Sequence, residues 1–354
     1  MIQNLKPDTA RAMAADKELW DRHWHLLCHR SELPERNHYL RFDILDEEVV
    51  VFHDGLDLVA FDNRCPHRGT RIFEGSFGEQ RFVCPYHGWS FIKGRLFIPL
   101  KETFRQPLDQ AGLNRYRIEW IGDFMFVARA PDRPLSAQIA GFEETIDVLS
   151  RNISNRLDFD NYTYECNWKI AVENALDQYH VSLVHQDTLN RLQLNPGENK
   201  FFGMNNAIFA EIGDAKVKKR LQSLGRFFDL ENAFQGYMSV YLFPFTFISS
   251  TFGYSYSLQQ FYPATRLTAS HFTSRFFEAK TKAGTNPEIM KPFFESSIGV
   301  NRQVFEEDAR ICGRIPSDTW SVDPPAYWCD GEEKILHFRE SIAEFLRREA
   351  SGGA

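Results

Sequence analysis

Two short segments of the chain each pair a cysteine with a histidine. Cys65 and His67 stand in the order C-x-H, and after sixteen residues Cys84 and His87 stand in the order C-x-x-H. Each segment therefore offers one thiolate and one imidazole. Two thiolates and two imidazoles are the donor set of a Rieske [2Fe-2S] cluster, in which the histidines bind one iron and raise the reduction potential. The pattern predicts a cluster of this kind.

The same four donors could instead hold a structural zinc ion, because two cysteines and two histidines suit its tetrahedral geometry. Such zinc sites commonly take both cysteines from one segment and both histidines from another, whereas here each segment mixes the two types. Gly69 and Gly88 follow the histidines, and Pro66 and Pro85 follow the cysteines. The backbone could then approach a cluster closely while the loops stay stiff. This arrangement favours the iron-sulfur cluster.

A second candidate metal site follows further along the chain. Asp177 and His180 are three residues apart, so on a helix they would share a face. His180 and His185 are five residues apart, which would separate them by about 140° on an ideal helix. Both histidines can bind one metal only if the helix ends or bulges between them.

A third ligand for this site has to come from a distant part of the chain. Two histidines and a carboxylate form the facial triad of non-heme iron(II) oxygenases. The best candidate carboxylate is Asp308, with Glu306 and Glu307 as competitors for the role. Histidines at this spacing would more often be structural than metal-binding. Beside a motif for an electron-carrying cluster, however, a mononuclear iron site becomes the favoured interpretation.

Length and composition are ordinary for a globular protein of two domains. The chain has 354 residues, 43% of them hydrophobic and 25% charged. The net charge is −7 and the basic residues are scattered, so nothing indicates binding to nucleic acid. The N-terminus lacks the apolar run of a signal peptide, and no segment is typical of a membrane span. We therefore expect a cytoplasmic protein that does not bind membranes.

The cysteines outside the two segments are widely spaced, which predicts buried thiols rather than a disulfide framework. They are Cys28, Cys166, Cys312 and Cys329.

The elements that must position these residues fall into two blocks. Alternating apolar and polar residues from about 39 to 127 predict short antiparallel strands with the two cysteine-histidine segments between them. A helix is predicted from Trp168 to about Leu183. Further elements are predicted as strands over 200–277, a long helix around 287–315 and a C-terminal helix from about 333.

These blocks predict three parts of the chain. Residues 1–34 are expected to form an N-terminal helical segment that packs on the C-terminal domain. Residues 35–133 are expected to form the cluster domain, and residues 134–354 the domain with the mononuclear metal.

One stretch of the second block, between Glu231 and Arg266, carries no charged side chain. Aromatic residues recur there with period two at 241, 243, 245 and 247, which predicts a sheet with an aromatic face. Ordinary core packing would explain that face. The lining of a substrate cavity would explain it equally well, because binding pockets are mostly apolar. The residues predicted to line such a cavity are Phe202, Phe209, Phe243 and Phe245.

The two motifs, in this order, resemble those of the catalytic α subunit of Rieske non-heme iron oxygenases, the aromatic-ring-hydroxylating oxygenase family, over essentially the whole chain. In that family the motif E-N-x-x-(x)-D-x-x-H-x-x-x-x-H carries the iron histidines, which match His180 and His185, and a late acidic residue matches Asp308. The family's bridging aspartate matches Asp177, and its asparagine near the iron matches Asn174. Two residues separate Asn174 from Asp177, one fewer than in some family members.

The resemblance implies an α+β fold, with an antiparallel β Rieske [2Fe-2S] domain and a helix-grip (StAR-related/Bet v1-like) catalytic domain that holds a mononuclear iron. It also implies a homotrimer in which the cluster of one subunit serves the iron of its neighbour, joined by hydrogen bonds that run from His87 through Asp177 to His180. No Gly-rich dinucleotide fingerprint occurs in the chain. A separate NAD(P)H-dependent reductase, with or without a ferredoxin, is therefore expected as a partner.

The reaction implied is the O₂-dependent hydroxylation, by mono- or dioxygenation, of a small hydrophobic and aromatic substrate. Oxidative O- or N-demethylation would use the same metal sites, and quaternary amines also bind aromatic cages. The sequence leaves these substrates open. A Rieske electron carrier without chemistry of its own is a rival interpretation, but it would leave most of the chain without a role. A zinc-dependent hydrolase or scaffold is a second rival.

Overall fold

The structure is a computed structural model that describes residues 7–195 and 197–352. Its N-terminal part contains one helix and nine short strands, all paired antiparallel. Their bounds are α1 (Pro7–Arg22), β1 (His25–His29), β2 (His38–Ile44), β3 (Glu47–His53), β4 (Leu58–Asp62), β5 (Phe77–Glu79), β6 (Ser90–Ile92), β7 (Arg95–Phe97), β8 (Arg117–Ile121) and β9 (Phe124–Ala128).

These strands form three small sheets around the two cysteine-histidine segments. One sheet has the order β4-β3-β2-β5, a second has the order β1-β9-β8, and β6 pairs with β7 as a hairpin. Cys65 and Cys84 lie in an aromatic core that includes Phe73, Phe82 and Trp89. The two cysteines are therefore anchored in the packed interior of this part.

The C-terminal part is built on one large sheet. Its bounds are α2 (Leu135–Ile139), α3 (Glu143–Asn152), β10 (Ile153–Tyr164), α4 (Trp168–Leu176), α5 (Val181–Val184), β11 (Glu198–Phe202), β12 (Asn205–Ala210), α6 (Ala215–Leu224), β13 (Tyr237–Leu242), β14 (Thr246–Thr251), β15 (Ser255–Pro263), β16 (Ser270–Ala279), α7 (Pro287–Cys312) and α8 (Glu333–Gly352).

The sheet is antiparallel with the order β10-β16-β15-β14-β13-β12-β11. The long helix α7 packs against it, for example through Phe305 on Phe272 with ring centroids 4.8 Å apart. Small antiparallel sheets around the two cysteine-histidine segments, followed by helices on a large antiparallel sheet, form the α+β fold that the sequence predicts. None of the helices within the described ranges is long and apolar enough to cross a membrane.

Local capping explains where the helices near the second motif begin. The side chain of Asn167 accepts a hydrogen bond from the backbone N–H of Lys169 and caps α4. Asn286 caps α7 in the same way through Glu288, and Pro287 occupies the first turn, where its missing N–H costs nothing.

The end of α4 differs from the prediction of a helix to about Leu183. The helix ends at Leu176, and Asp177 has an extended backbone with φ −72° and ψ 132°. The Asp177 Oδ1 atom accepts a hydrogen bond from the N–H of Tyr179 at 2.6 Å, so this side chain closes a turn of its own. The chain then makes the single turn α5.

The N-terminal segment contacts both parts of the molecule. The predicted segment 1–34 begins outside the described residues and contains β1 as well as α1. Trp20 contacts Tyr116 of the first part, with centroids 5.9 Å apart, and Tyr262 of the second, with centroids 6.1 Å apart. Asp16 forms a buried ion pair with Lys169 at the start of α4. The domain boundaries themselves remain predictions.

Candidate metal centres and their cavity

The two cysteine-histidine loops, called here the cluster loops (residues 65–69 and 84–88), have the same backbone design. The N–H of Gly69 donates to the carbonyl of Cys65 at 2.9 Å, and the N–H of Gly88 donates to the carbonyl of Cys84 at 3.0 Å. Both glycines have a φ of +71°, a left-handed conformation that glycine adopts without a Cβ clash. The two loops are therefore repeats of one turn.

The predicted cluster ligands are brought together by these loops. Nδ1 of His67 lies 3.2 Å from Nδ1 of His87, and the two cysteines are nearly fully buried on the core side. The ring of His67 stacks on Trp89, with centroids 5.1 Å apart and planes at 5°, whereas His87 is exposed. The cysteine end of the site lies in the core and the histidine end faces the surface.

The electrostatics of Cys84 suit a metal-bound thiolate. Burial alone would raise the pKa of this thiol, but the backbone N–H groups of Tyr86 and His87 point at its sulfur and bring its pKa below the usual value. Two thiols, two imidazoles that face each other through the same nitrogen, and N–H donors to sulfur fit a Rieske cluster.

The second site, called here the mononuclear site (His180, His185 and Asp308), is assembled from three segments. His180 precedes α5 and His185 follows it, so this single turn returns both rings to one side, with their Nε2 atoms 3.2 Å apart. Asp308 comes from α7, and its Oδ1 lies 3.0 Å from Nε2 of His185 and 3.5 Å from Nε2 of His180. One ligand atom from each of the three residues lies within 4.8 Å of the others.

Each histidine of the mononuclear site is held from behind by a carboxylate. Nδ1 of His180 lies 3.0 Å from Oδ2 of Asp177, and Nδ1 of His185 lies 2.8 Å from Oε2 of Glu307. Such contacts fix the tautomer and leave Nε2 free for a metal. Glu307, which the sequence offered only as a competing ligand, thus lies behind His185. In the sequence, the only indication that Glu307 supports a ligand histidine was its position next to Asp308 on one predicted helix.

The donors of the mononuclear site fit a divalent metal. Oδ1 of Asp308 is buried and accepts no hydrogen bond from the described residues. Burial would raise the pKa of Asp308, but the adjacent histidine rings, with Asn174 among the further contributors, lower it. The carboxylate is therefore ionised. Burial would also lower the pKa of His180, but Asp177 and Asp308 raise it to about 9, so a metal that binds Nε2 has to displace a proton. Two imidazoles and one carboxylate are the donor set of a mononuclear iron site.

A cavity of about 980 Å³ opens beside the mononuclear site, and all three of its residues line it. The long helix α7 contributes apolar side chains to one wall, including Val300, Val304 and Phe305. Ile208 and Ala210 of β12 contribute to the other. This volume is within the range of pockets that bind small molecules.

The four phenylalanines predicted to line the cavity do not line it. Phe243 and Phe245 belong to the turn between β13 and β14, where Phe243 contacts His23 and Phe245 stacks on His25. The period-two pattern of aromatic residues therefore continues beyond the end of β13. There its side chains pack in the core against the N-terminal segment.

Of the other two predicted phenylalanines, Phe209 lies on the strand face opposite to the cavity and Phe202 lies at the end of its strand. Phe209 faces away from Ile208 and Ala210, its neighbours in β12 that line the cavity, because successive strand residues alternate between faces. Phe202 ends β11 and packs on Phe142 with centroids 4.3 Å apart.

Two family models match the chain. One, described as Rieske [2Fe-2S] domain, matches residues 23–97. The other, described as ring hydroxylating alpha subunit (catalytic domain), matches residues 151–348, which is more than half of the chain.

Two curated relatives match about half of the chain. The large subunit of anthranilate 1,2-dioxygenase from Acinetobacter baylyi is 29% identical over 189 residues, which are 49% of this chain and 40% of the relative. The chloroplastic choline monooxygenase of Beta vulgaris is 33% identical over 176 residues, which are 46% of this chain and 39% of the relative. The matched segments thus span about two fifths of the length of these relatives.

A solved structure shares the fold along nearly the whole chain. The quaternary ammonium Rieske monooxygenase CntA, in complex with L-carnitine, superposes with a TM-score of 0.74 at 18% sequence identity. The match covers 95% of this chain and 93% of that protein.

Proposed function

The chain belongs to the ring-hydroxylating alpha-subunit family, and on that premise we propose that it is the oxygenase component of a Rieske non-heme iron system. The component takes electrons that originate from NAD(P)H and uses O₂ to hydroxylate a small organic molecule. The observation that carries the proposal is the cavity of about 980 Å³ lined by His180, His185 and Asp308. An electron carrier needs neither such a cavity nor a second set of metal ligands.

The residues of each site have distinct tasks in this proposal. Cys65, Cys84, His67 and His87 would hold the [2Fe-2S] cluster, and the mononuclear site would hold one iron. When bound, the cluster supplies one-electron transfer and the mononuclear iron supplies positions for the activation of O₂. The protein contributes partial enclosure, because His185 is buried and the side chains of His180 and Asp308 are only 16% and 13% exposed.

We assign Asp177 the task of linking the mononuclear site to the cluster of a neighbouring subunit. One oxygen of Asp177 accepts from Tyr179 and the other contacts His180, and the side chain is still 18% exposed. His87 is exposed at the other site. A homotrimer that places the neighbour's His87 on Asp177 would complete this contact. A separate reductase, with or without a ferredoxin, would deliver electrons to the cluster in the cytoplasm.

The link makes a specific prediction for Asp177→Asn. The amide has almost the same shape but no charge, so at saturating iron(II) both metals should be bound while turnover falls about a hundredfold. Iron content and steady-state O₂ consumption with reductase measure the two quantities. A variant that turns over like the wild type would remove Asp177 from the path between the subunits.

The oxygenase activity itself is testable in a single turnover. The holoprotein is reduced with dithionite, freed of excess reductant and mixed with ¹⁸O₂ in the presence of anthranilate or choline, the compounds in the names of the two relatives. The proposal predicts an ¹⁸O-labelled product and reoxidation of the cluster in the wild type, and neither in Asp308→Ala. Cluster reoxidation at the same rate in both proteins, without labelled product, would instead identify an electron carrier.

A further inference from the structure

One row of the large sheet that faces the cavity carries hydroxyl groups rather than aromatic rings. Ser239 is the register partner of Ser249, and Ser249 is the register partner of Ser257. Directly opposed residues of antiparallel strands share a face, so these three residues, called here the serine row, lie side by side on β13, β14 and β15. All three line the cavity. The wall predicted to be aromatic is therefore polar at its centre.

Neighbouring side chains determine what the serine row offers to a ligand. Nε2 of Gln259 donates to Oγ of Ser249 at 3.0 Å and to Oγ of Ser257 at 3.3 Å. The side chain of Tyr237, which also lines the cavity, forms hydrogen bonds with Ser249 and Ser239. The serine row therefore makes this part of the wall polar, and the protein itself satisfies its hydroxyl groups.

A buried lysine lies near the other end of the same cross-strand row. From Ser239 the row continues through Ile208 of β12 to Asn199 of β11. The Asn199 side chain donates at 3.0 Å to Glu333, the residue before Lys334 in α8. Lys334 lines the cavity and is only 3% exposed. Asn199 lies two strands from Ser239 and four strands from Ser257, about 10 Å and about 19 Å at the spacing of paired strands. The lysine and the serine row therefore lie at opposite ends of this wall.

Lys334 has no carboxylate partner in the part of the chain that the structure describes. No ion pair within 4.0 Å includes it there, and the oxygens of nearby Asp177 already contact Tyr179 and His180. Burial lowers the pKa of Lys334 to about 8, and the charge of Asp177 offsets only part of this effect. A buried cation without a partner is costly, so an anion from outside the chain would satisfy it.

We propose that Lys334 binds the carboxylate of the substrate. This assignment rests on the proposed function. It specifies the class of substrate as a small molecule with a carboxylate at one end and an apolar remainder. Val304 and Phe305 precede Asp308 by about one turn of α7 and line the apolar wall. An apolar group that packs on them is directed towards the mononuclear site.

Three probes of similar size test this assignment on the holoprotein under anaerobic conditions: benzoate, acetophenone and ethylbenzene. They offer a carboxylate, a neutral carbonyl and no acceptor. Isothermal titration calorimetry gives the dissociation constant of each. A charge-assisted hydrogen bond is worth about 1.5–3 kcal/mol, so benzoate should bind at least about tenfold more tightly than ethylbenzene, with acetophenone between them.

The variant Lys334→Met separates this site from the metal. It should weaken benzoate by about tenfold or more while the other two probes change less than about twofold, and Lys334→Arg should restore part of the loss. Lys200→Met removes an exposed lysine of β11 and serves as the control. A carboxylate bound only to the metal would keep its affinity in Lys334→Met, and that result would overturn the proposal.

The double variant Ser249→Ala and Ser257→Ala is a second control, because the serine row lies at the other end of the wall from Lys334. It should change the affinity of each probe by less than about twofold. If benzoate binds no better than acetophenone in the wild type, the carboxylate assignment is wrong even where Lys334→Met does not fold.

The binding measurements need neither O₂ nor electrons. Benzoate bound through Lys334 in a protein without turnover would contradict the oxygenase function and leave this inference standing. If the protein hydroxylates its substrate but Lys334→Met leaves the benzoate affinity unchanged, the oxygenase function would stand and this inference would be wrong.

Discussion

The two metal sites of this chain are built in opposite ways. The cluster loops are close in sequence, repeat one backbone turn and leave His87 exposed. The mononuclear site joins the region after α4 to the distant helix α7, and its His185 is buried. A centre that exchanges electrons with another protein has to reach the surface, whereas a centre that handles O₂ and substrate has to be enclosed. The difference in burial matches a division of labour between the two sites.

The groups that contact the ligand histidines also differ between the two metal sites. His67 and His87 face each other through Nδ1 and rest on aromatic neighbours such as Trp89. His180 and His185 face each other through Nε2, and carboxylates hold their Nδ1 atoms. Charge near the ligand histidines is therefore a property of the mononuclear site, where it strengthens metal binding.

The largest effects are expected from removing one ligand of each site. Cys84→Ala should lose the cluster and keep the mononuclear iron, whereas Asp308→Ala should keep the cluster and lose that iron, and each change should abolish turnover. Iron and sulfide content with EPR spectra measures both outcomes. Cys329→Ala is the control, because this cysteine lies outside both ligand sets and is exposed in the structure, contrary to the prediction of a buried thiol. Loss of both centres from either single variant would show that the two sites are not independent.

A smaller effect should separate two neighbouring carboxylates. Glu307→Gln removes the charge behind His185, and the affinity for iron(II) should fall about 10- to 100-fold. Glu306→Gln changes the exposed neighbour on the same helix and should leave that affinity unchanged. Competition with a coloured chelator measures both. Equal losses in the two variants would mean that the contact between Glu307 and His185 does not support the metal.

The buried histidines that bind no metal should make the fold sensitive to acid. Burial lowers the pKa of His25 to about 3 and that of His23 to about 4. The unfolded chain takes up protons near pH 6.5 while the folded chain does not, so this stability is present above pH 6.5 and is lost as the pH falls towards 4. Each histidine should cost about 2 kcal/mol at pH 5.

Denaturant unfolding at pH 7.5 and pH 5 tests this sensitivity. His25→Phe keeps the ring contacts with Trp20 and Phe245 but cannot be protonated, so the loss of stability between the two pH values should shrink by about 2 kcal/mol. His53→Phe in β3 is the control. An unchanged loss in His25→Phe would assign the acid sensitivity to other groups.

The smallest effects should come from the repeated turn of the cluster loops. Gly69→Ala and Gly88→Ala force a Cβ into the left-handed region at φ +71°, at a cost of about 1–2 kcal/mol each. The two costs should be similar, because the nearest atom to an added Cβ is 3.6 Å away at Gly88 and none lies within 4 Å at Gly69. Gly299→Ala, inside α7, should instead stabilise by about 0.5–1 kcal/mol. Thermal unfolding compares the three, and a large difference between Gly69→Ala and Gly88→Ala would contradict the repeat.

The sequence predicted the parts of these sites that depend on local order. Cys65, His67, Cys84 and His87 stand within two short loops, so type and spacing alone indicated the cluster. The pair His180 and His185 was also visible in the sequence, as was the requirement that the helix break near them.

What the sequence missed depends on three-dimensional packing. The end of α4 at Leu176 follows from the turn made by Asp177. The place of Glu307 behind His185 follows from the rotation of α7. Phe243 and Phe245 were predicted to line the cavity because nothing in their spacing shows that β13 ends at Leu242. The serine row becomes visible only once the strand register is known.

The central claim is that one chain holds two different iron centres, and metal analysis tests it most directly. Protein purified without oxygen is assayed for iron, zinc and acid-labile sulfide, and its EPR spectrum is recorded after reduction with dithionite. The account predicts about three irons and about two sulfides per chain, with the spectrum of a Rieske cluster. Stoichiometric zinc without sulfide would contradict it, and about two irons with no further iron bound at His180, His185 and Asp308 would reduce the protein to an electron carrier.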